Sequence, residues 1–357
     1  MKYFITAAFF LTMLGGCKKE TADNLQQTPT VMSGEADIVI PAPEKRWTSL
    51  PTGFPNVYPY SNWNIGNYIM PVGEDVYMLS GSVYEYIYKY NKATQKFQVH
   101  TPTQSGFGFT IFYPGHKYLF DYGGKMYAGL NGYQTDTSYF FTIDPVTSAI
   151  VEKARFPGVH TPDPISFKIG TKGYVISAFN SSTPSKLWEY DFVANTWTNK
   201  GNSPLGNRLG AIAFVLDNKV YMGLGYDQVN FNGQLINLYR KDWIQFTPGS
   251  QWNAVKADFP GGGRRFASGY VLNGQAYLGL GSNNINQVRY KDFWKYNPAT
   301  DTWKQEKDWP GVYADDDSWY GTPRNNVTLF TDGNLGFAVK GAANQVWRYS
   351  TSSLVIQ

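Results

Sequence analysis

Apolar and polar positions alternate in short runs throughout residues 46–357, and the runs come in pairs separated by turn-forming residues. The clearest pair has Phe293 and Tyr296 in its first run and Trp303 in its second, with Asn, Pro and Asp between them at 297–301. Alternation with a period of two, interrupted by such a turn, predicts a β-hairpin. An isolated hairpin is marginally stable in water, so the fold must bring several of them together.

The hairpin pattern recurs along the chain at a nearly constant spacing. The apolar residues that mark its second strand are Phe97, Ile150, Trp197, Trp252, Trp303 and Ile356, at intervals of 53, 47, 55, 51 and 53 residues. In the fourth repeat, the run 238–243 is interpreted as the first strand of this hairpin. Another hairpin precedes this one in each repeat, most clearly in 214–225 and 270–281, where turns are predicted at 217–218 and 273–274. Two hairpins give four strands, and four strands in about fifty residues are typical of a β-propeller blade.

These motifs resemble the kelch repeat, in which Arg and small residues lead through a Gly pair to a Tyr and a Trp. The Gly pair is replaced by Gly-Leu-Gly at 223–225 and 279–281, and Ile150 and Ile356 stand in place of the Trp. The resemblance covers residues 46–357 and implies an all-β fold, a six-bladed β-propeller of four-stranded kelch-like blades.

Such a ring needs a closing strand, because an open blade leaves an unpaired sheet edge. Residues 45–51, which include Trp47, match the outer strand of a blade, and we expect them to pair into the last blade. Residues 353–357 compete for the same place, and the sequence leaves the choice open.

The N-terminus resembles the signal peptide of bacterial lipoproteins. Lys2 supplies a positive charge, the apolar run 3–14 is too short to span a bilayer as a stable helix, and Leu14-Gly-Gly-Cys17 resembles a lipobox. This resemblance implies cleavage before Cys17 and a lipid on its thiol, which anchors the protein in the cell envelope, at the outer membrane facing the periplasm or the surface. The predicted organisation is a signal peptide at residues 1–16, a lipidated flexible tether at residues 17–45 and the propeller at residues 46–357.

Composition and charge limit the kinds of fold, ligand and partner that we expect for this protein. Aromatic residues make up 17% of the chain and charged residues 16%, which suits many short, half-buried strands. The single cysteine, Cys17, excludes an internal disulfide and a Cys-based metal site. The net charge of +4 is not concentrated in a basic block, so we expect no nucleic-acid partner. The acidic run 315–317 lacks the spacing of a cation site, and we predict no metal, no cofactor and a monomer.

Candidate ligand-binding residues lie in the long connections. Strands of a blade alternate in direction, so the second-to-third-strand loops and the blade-to-blade connections share one face. These are the long loops here, at 55–71, 101–120, 225–237, 281–290 and 311–327. Long loops on a rigid scaffold commonly carry function. Their aromatic residues, flanked by Asn, Gln and Asp, suit stacking on sugar rings, although they could instead pack against one another. The predicted ligand-binding aromatic residues are Trp63, Tyr113, Tyr226, Trp319 and Tyr320.

Three arginines form a second candidate set. Arg208 and Arg264 each lie nine residues before a predicted turn, and Arg324 lies eight residues before Asp332. This spacing predicts three guanidinium groups near the start of successive innermost strands, at the mouth of the central channel. Converging arginines favour a carboxylate or phosphate ligand. The alternative is that they hold adjacent blades together, as such arginines often do in kelch-like repeats.

The resemblance leaves several functions open. Copper radical oxidases of this fold need a Tyr crosslinked to a Cys, and Cys17 is the only cysteine, so this activity is disfavoured. We expect an envelope-anchored propeller that binds a glycan or protein ligand through its long-loop face. The alternative is an anionic-sugar mutarotase or epimerase of the sialic acid type, using Arg208, Arg264 and a nearby carboxylate. A third possibility is a structural envelope protein, and no catalytic residue is assigned.

Overall fold

The computed structural model describes most of the predicted propeller. The described residues are 46–50, 68–81, 85–102, 118–131, 138–158, 164–177, 184–250, 254–286, 288–313, 327–340 and 345–350. The chain divides into two compact units, Met1–Ala42 and Pro43–Gln357, and every described residue belongs to the second unit. Its regular elements, within the described ranges, are β-strands. None of these ranges contains a helix that could cross a bilayer.

Six four-stranded antiparallel sheets form the blades, and we number them along the chain. Blade 1 contains β2 (Tyr68–Val72), β3 (Asp75–Gly81), β4 (Glu85–Asn91) and β5 (Lys96–Pro102). Blade 2 contains β6 (Tyr118–Tyr122), β7 (Lys125–Asn131), β8 (Ser138–Ile143) and β9 (Ile150–Glu152). Blade 3 contains β10 (Ile165–Ile169), β11 (Lys172–Ser177), β12 (Lys186–Asp191) and β13 (Thr196–Asn202).

The second half of the ring is built in the same way. Blade 4 contains β14 (Ile212–Leu216), β15 (Lys219–Gly223), β18 (Trp243–Phe246) and β19 (Ala254–Lys256). Blade 5 contains β20 (Ser268–Leu272), β21 (Gln275–Gly279), β24 (Phe293–Asn297) and β25 (Thr302–Gln305). Blade 6 contains β26 (Thr328–Thr331), β27 (Gly336–Lys340), β28 (Gln345–Ser350) and β1 (Arg46–Leu50). The innermost strands contact one another in the cyclic order β2, β6, β10, β14, β20, β26 and back to β2.

This arrangement confirms the predicted all-β, six-bladed propeller, and it settles how the ring closes. The N-terminal strand β1 pairs antiparallel with β28, and Trp47 lies opposite Tyr349. The outer position of blade 6 is therefore filled by the first described strand of the chain. Trp252 and Ile356, predicted to mark outer strands, lie outside the described residues.

The predicted tight turns have the expected backbone conformation. Asp217 and Asn218 join β14 to β15 with φ angles of 50° and 59°. Asn273 and Gly274 join β20 to β21 with φ angles of 52° and 69°. Positive φ at both central residues matches the right-handed twist of the flanking strands, which is why Asn, Asp and Gly occupy these positions.

A repeated tyrosine–tryptophan arrangement joins neighbouring blades. In blades 3, 5 and 6, a tyrosine on the third strand lies opposite a tryptophan on the outer strand: Tyr190 with Trp197, Tyr296 with Trp303, and Tyr349 with Trp47. Each indole donates a 2.8 Å hydrogen bond to a backbone carbonyl that follows the outer strand of the preceding blade: Trp197 to Ala154, Trp303 to Ala257, and Trp47 to Lys307. The aromatic hairpin seen in the sequence thus also connects one blade to the next.

Blade 4 departs from the predicted register. Residues 238–243 were expected to form its third strand, but this strand begins at Trp243. Leu238 belongs to an inserted hairpin of β16 (Tyr226–Phe231) and β17 (Gln234–Tyr239). Two apolar runs in succession both fit a strand, and only the pairing of Gly223 with Trp243 selects the second. Blade 5 has a shorter insertion, β22 (Ser282–Asn283) paired with β23 (Val288–Arg289). The segments interpreted as long loops at 225–237 and 281–290 therefore contain hairpins.

Candidate functional site

Arg208 and Arg264 precede the innermost strands of blades 4 and 5, and their Nη1 and Nη2 atoms form equivalent bonds in the two blades. Arg208 Nη1 and Nη2 donate to the two carboxylate oxygens of Asp242 at 2.8 and 2.9 Å. Arg264 makes the same bidentate pair with Asp292 at 2.5 and 2.7 Å. In both blades the aspartate lies immediately before the third strand. Each guanidinium thereby connects the entry to the blade with its third strand.

The Gly-Leu-Gly segments provide the other end of this connection. Leu224 and Leu280 have a φ of 60°, which is rare for a branched aliphatic residue and indicates backbone strain. Arg208 Nη1 donates to the carbonyl oxygen of Leu224 at 2.9 Å, and Arg264 Nη1 donates to that of Leu280 at 3.0 Å. The arginine–aspartate pairs thus hold the strained turns from which both inserted hairpins begin.

A further carboxylate ties the first hairpin to its blade. Asp227, on β16, accepts a 2.9 Å hydrogen bond from Arg208 Nε and a 2.6 Å bond from Arg240 Nε. Burial acts to lower the pKa of the Arg208 guanidinium, but its bonds to Asp242 and Asp227 outweigh this effect and raise the pKa. Arg208 therefore remains charged, and its donors are directed at partners within the protein.

The two hairpins contact each other and present tyrosines. The backbone N–H of Asn284 donates to the hydroxyl of Tyr239 at 3.2 Å, and the rings of Tyr226 and Tyr239 lie 5.6 Å apart. Tyr290 covers the guanidinium of Arg264, with 3.8 Å from its ring centroid to the guanidinium carbon. The hydroxyl of Tyr313 donates to the carbonyl oxygen of Tyr290 at 2.9 Å. We call this surface of blades 4 and 5, formed by the two hairpins and these tyrosines, the hairpin face.

The structure places three of the predicted site residues at the hairpin face. Tyr226 is buried, and its ring packs against Tyr239 within the two-stranded ribbon of β16 and β17, which is the alternative given for these aromatic residues. Arg208 and Arg264 are buried and bonded as described, and their role in ligand binding stays a prediction. The remaining predicted site residues, Trp63, Tyr113, Trp319, Tyr320, Arg324 and Cys17, lie outside the described residues.

Sequence analysis missed Arg240, Arg265, Tyr239 and Tyr290, which the structure brings to the same face. A signal for Arg265 exists in the repeat itself, because blade 4 has Leu209 where blade 5 has a second arginine. The described part of the chain holds no cluster of three or more His, Cys, Asp or Glu side chains suited to a metal ion.

Comparisons with known proteins give local and distant similarities. No family model matches the chain. A segment is 34% identical over 108 residues to N-acetylneuraminate epimerase of Salmonella arizonae, and it covers 29% of this chain and 24% of the epimerase. The solved structure described as "Structure of YjhT" aligns with a TM-score of 0.48 and 16% identity, covering 64% of this chain and 72% of that one.

Proposed function

We propose that this protein is a binding protein that recognises a glycan through its hairpin face. The proposal is based on a group of polar and aromatic side chains that share one surface of the ribbon formed by β16 and β17. Gln228 lies opposite Asn237, two positions from the opposed pair Tyr226 and Tyr239, so all four side chains project to the same side. Gln228 Nε2 donates to Asn237 Oδ1 at 3.2 Å, which aligns the two amides.

These groups have the chemistry that sugars require. Amide side chains offer both donors and acceptors to hydroxyl groups, and the half-buried ring of Tyr239 offers flat apolar surface for the C–H face of a sugar. The ribbon is held from below by the bonds of Asp227, and it is held from the side by the contact of Tyr239 with Asn284. A surface fixed in this way loses little conformational entropy when a ligand binds.

Binding of a saccharide should raise the melting temperature of the purified chain, because the ligand binds only the folded state. We expect a shift with at least one class in a panel of neutral sugars, acidic sugars and polysaccharide fragments. The double substitution Gln228→Ala and Asn237→Ala should weaken that binding about tenfold, the effect of losing one or two net hydrogen bonds. Calorimetric titration measures the loss.

Gln234→Ala is the matched control, because Gln234 lies on the same ribbon but projects to the opposite side, with its partner Phe231. Its affinity should equal that of the unaltered protein. If no saccharide binds, the glycan proposal is wrong. A protein ligand then becomes the better candidate, because Phe231 and Leu235 at the end of the ribbon are exposed.

An anionic-sugar mutarotase or epimerase is the second candidate function. The local identity with a protein named N-acetylneuraminate epimerase favours it. The carboxylates of Asp242 and Asp292 are already bound by Arg208 and Arg264. Such an enzyme would therefore need other residues of this face as its catalytic acid and base. Anomer exchange measured by NMR separates the two candidates, since a binding protein leaves the uncatalysed rate unchanged.

We propose in addition that the propeller is anchored to the envelope through a lipid on Cys17, which rests on the sequence of the N-terminus. The substitution Cys17→Ala removes the thiol that would be lipidated, and it should move the protein from the membrane fraction to the soluble fraction of a bacterial host. Immunoblotting of the two fractions measures this, with Lys18→Ala as the control that keeps the thiol. Full membrane retention of Cys17→Ala would rule out the lipid anchor.

A further inference from the structure

Arg265 is a buried cation to which the described structure gives no anion. Arg265 is only 8% exposed, and its Nε atom is buried without a hydrogen-bond partner among the described residues. The guanidinium carbon lies 4.8 Å from the ring centroid of Phe266 and 5.7 Å from that of Tyr226. Aromatic faces compensate a desolvated cation only in part. A buried charge without a counter-charge is otherwise costly.

The neighbouring carboxylates do not meet this need, because they are already engaged. Asp227 on the first hairpin accepts from Arg208 and Arg240. Asp292, after the second hairpin, accepts the bidentate pair of Arg264 and a bond from the indole of Trp294. Arg264 and Arg265 are adjacent in sequence, yet only the first has an acidic partner in the described part of the chain.

Blade 4 shows that the fold does not require an arginine at this position. Leu209 forms an isolated antiparallel bridge with Tyr226, and Arg265 forms the equivalent bridge with Ser282 in blade 5. Both residues are buried, at 7% and 8% exposure. An aliphatic side chain therefore fills the structural role of this position, and the guanidinium is additional.

The surroundings of Arg265 place it in the seam between the two hairpin-bearing blades. The backbone N–H of Phe266 donates to the carbonyl oxygen of Gly210 in blade 4 at 3.0 Å. Gly210 has a φ of 60°, and a Cβ there would lie 2.9 Å from the Cβ of Arg265. Phe266 itself has a φ of 56°, which is unusual for an aromatic residue. Strained backbone of this kind is concentrated at ligand sites, which supports a binding role for this seam.

We propose that Arg265 is the anion-receiving group of the hairpin face, so that its glycan ligand carries a carboxylate or sulfate. This inference rests on the proposed glycan binding and specifies its chemistry. The planar guanidinium can donate two parallel N–H bonds to the two oxygens of such a group. The ligand thereby supplies the missing counter-charge, while the amides of the ribbon contact its hydroxyl groups and the ring of Tyr239 contacts its C–H face.

The test compares the unaltered chain with Arg265→Leu, which introduces the residue that blade 4 has at this position. Three oligosaccharides of equal length are titrated by calorimetry: a neutral one, a uronic-acid one and a sulfated one. We expect Arg265→Leu to remain folded and to bind the anionic ligand at least about tenfold more weakly, with unchanged affinity for the neutral one. The affinities for the uronic-acid and the sulfated ligand show whether the site prefers a carboxylate or a sulfate. Arg265→Lys keeps the positive charge and should therefore bind the anionic ligand more tightly than Arg265→Leu.

Arg155→Leu is the control for a general change in charge, because Arg155 is an exposed arginine after β9, paired with Glu152. It should leave all three affinities unchanged. Equal binding of the anionic ligand by Arg265→Leu and the unaltered chain overturns the inference and leaves glycan binding intact. If no oligosaccharide binds, the proposed function is wrong. The anion site is then tested with millimolar sulfate in a thermal-unfolding experiment. Sulfate should raise the melting temperature of the unaltered chain but not that of Arg265→Leu. Equal changes in the two proteins overturn the anion site.

Discussion

Replacing Arg264 with methionine should lower the free energy of unfolding by about 3–5 kcal/mol, because it leaves the Asp292 carboxylate without its bidentate partner inside the protein. Arg264 is fully buried, and it also holds the carbonyl oxygen of the strained Leu280. The substitution therefore removes a counter-charge and the support of a strained turn together. Denaturant titration followed by tryptophan fluorescence measures the loss.

Arg240→Met is the matched control, since the Arg240 side chain is 42% exposed and shares Asp227 with Arg208. An exposed pair of this kind contributes no more than about 1 kcal/mol. The double substitution Arg264→Met and Asp292→Leu should recover part of the stability that the single substitution loses, because no unpaired charge remains. A stability of Arg264→Met close to that of Arg240→Met would show that the pair is not structural.

Ligand-binding experiments on the hairpin face must separate a lost ligand contact from a lost structural bond. A loss of binding in Arg264→Ala or Arg208→Ala does not distinguish a ligand contact from collapse of the turn that begins the hairpin. Arg265 has no such structural bond among the described residues, so a substitution there separates the two effects. A substitution of Arg264 thus tests stability, and a substitution of the adjacent Arg265 tests ligand binding.

Replacing Trp303 with alanine should destabilise the protein by about 3 kcal/mol, at the lower end of the range for removing a packed tryptophan. Its ring lies 4.6 Å from that of Tyr296 and 5.1 Å from that of Phe259, measured between centroids. Phe259 follows the outer strand of blade 4, so the contact joins two blades. The cavity that the substitution creates would therefore lie between two blades and not within one sheet. Thermal unfolding measures the loss of stability.

Trp303→Phe separates packing from hydrogen bonding at this junction. It keeps an aromatic ring against Tyr296 but loses the indole bond to the Ala257 carbonyl, and it should cost about 1 kcal/mol more than a neutral surface change. Lys304→Ala, at the next, exposed position of β25, should leave the stability unchanged. If Trp303→Ala melts at the same temperature as Lys304→Ala, the inter-blade role of this tryptophan is wrong.

The amino-acid sequence by itself determined the local elements of this protein. Alternation and turn chemistry located the aromatic hairpin at residues 293–305 and the turns at 217–218 and 273–274, because these features depend only on neighbouring residues. Their repetition determined the six four-stranded blades. It could not select between Leu238 and Trp243 as the start of a strand in blade 4, since both lie in apolar runs.

Only the tertiary structure decided which distant groups meet. Residues 45–51 and 353–357 both fitted the outer position of the last blade in the sequence, and only the pairing of Trp47 with Tyr349 selects the first of them. The same holds for the candidate site, where Arg264 and Arg265 are identical in type and adjacent in sequence. Backbone direction turns the first toward Asp292 and the second toward the aromatic rings of the seam. Which arginine is paired thus depends on side-chain orientation in the folded blades, and residue identity alone does not specify it.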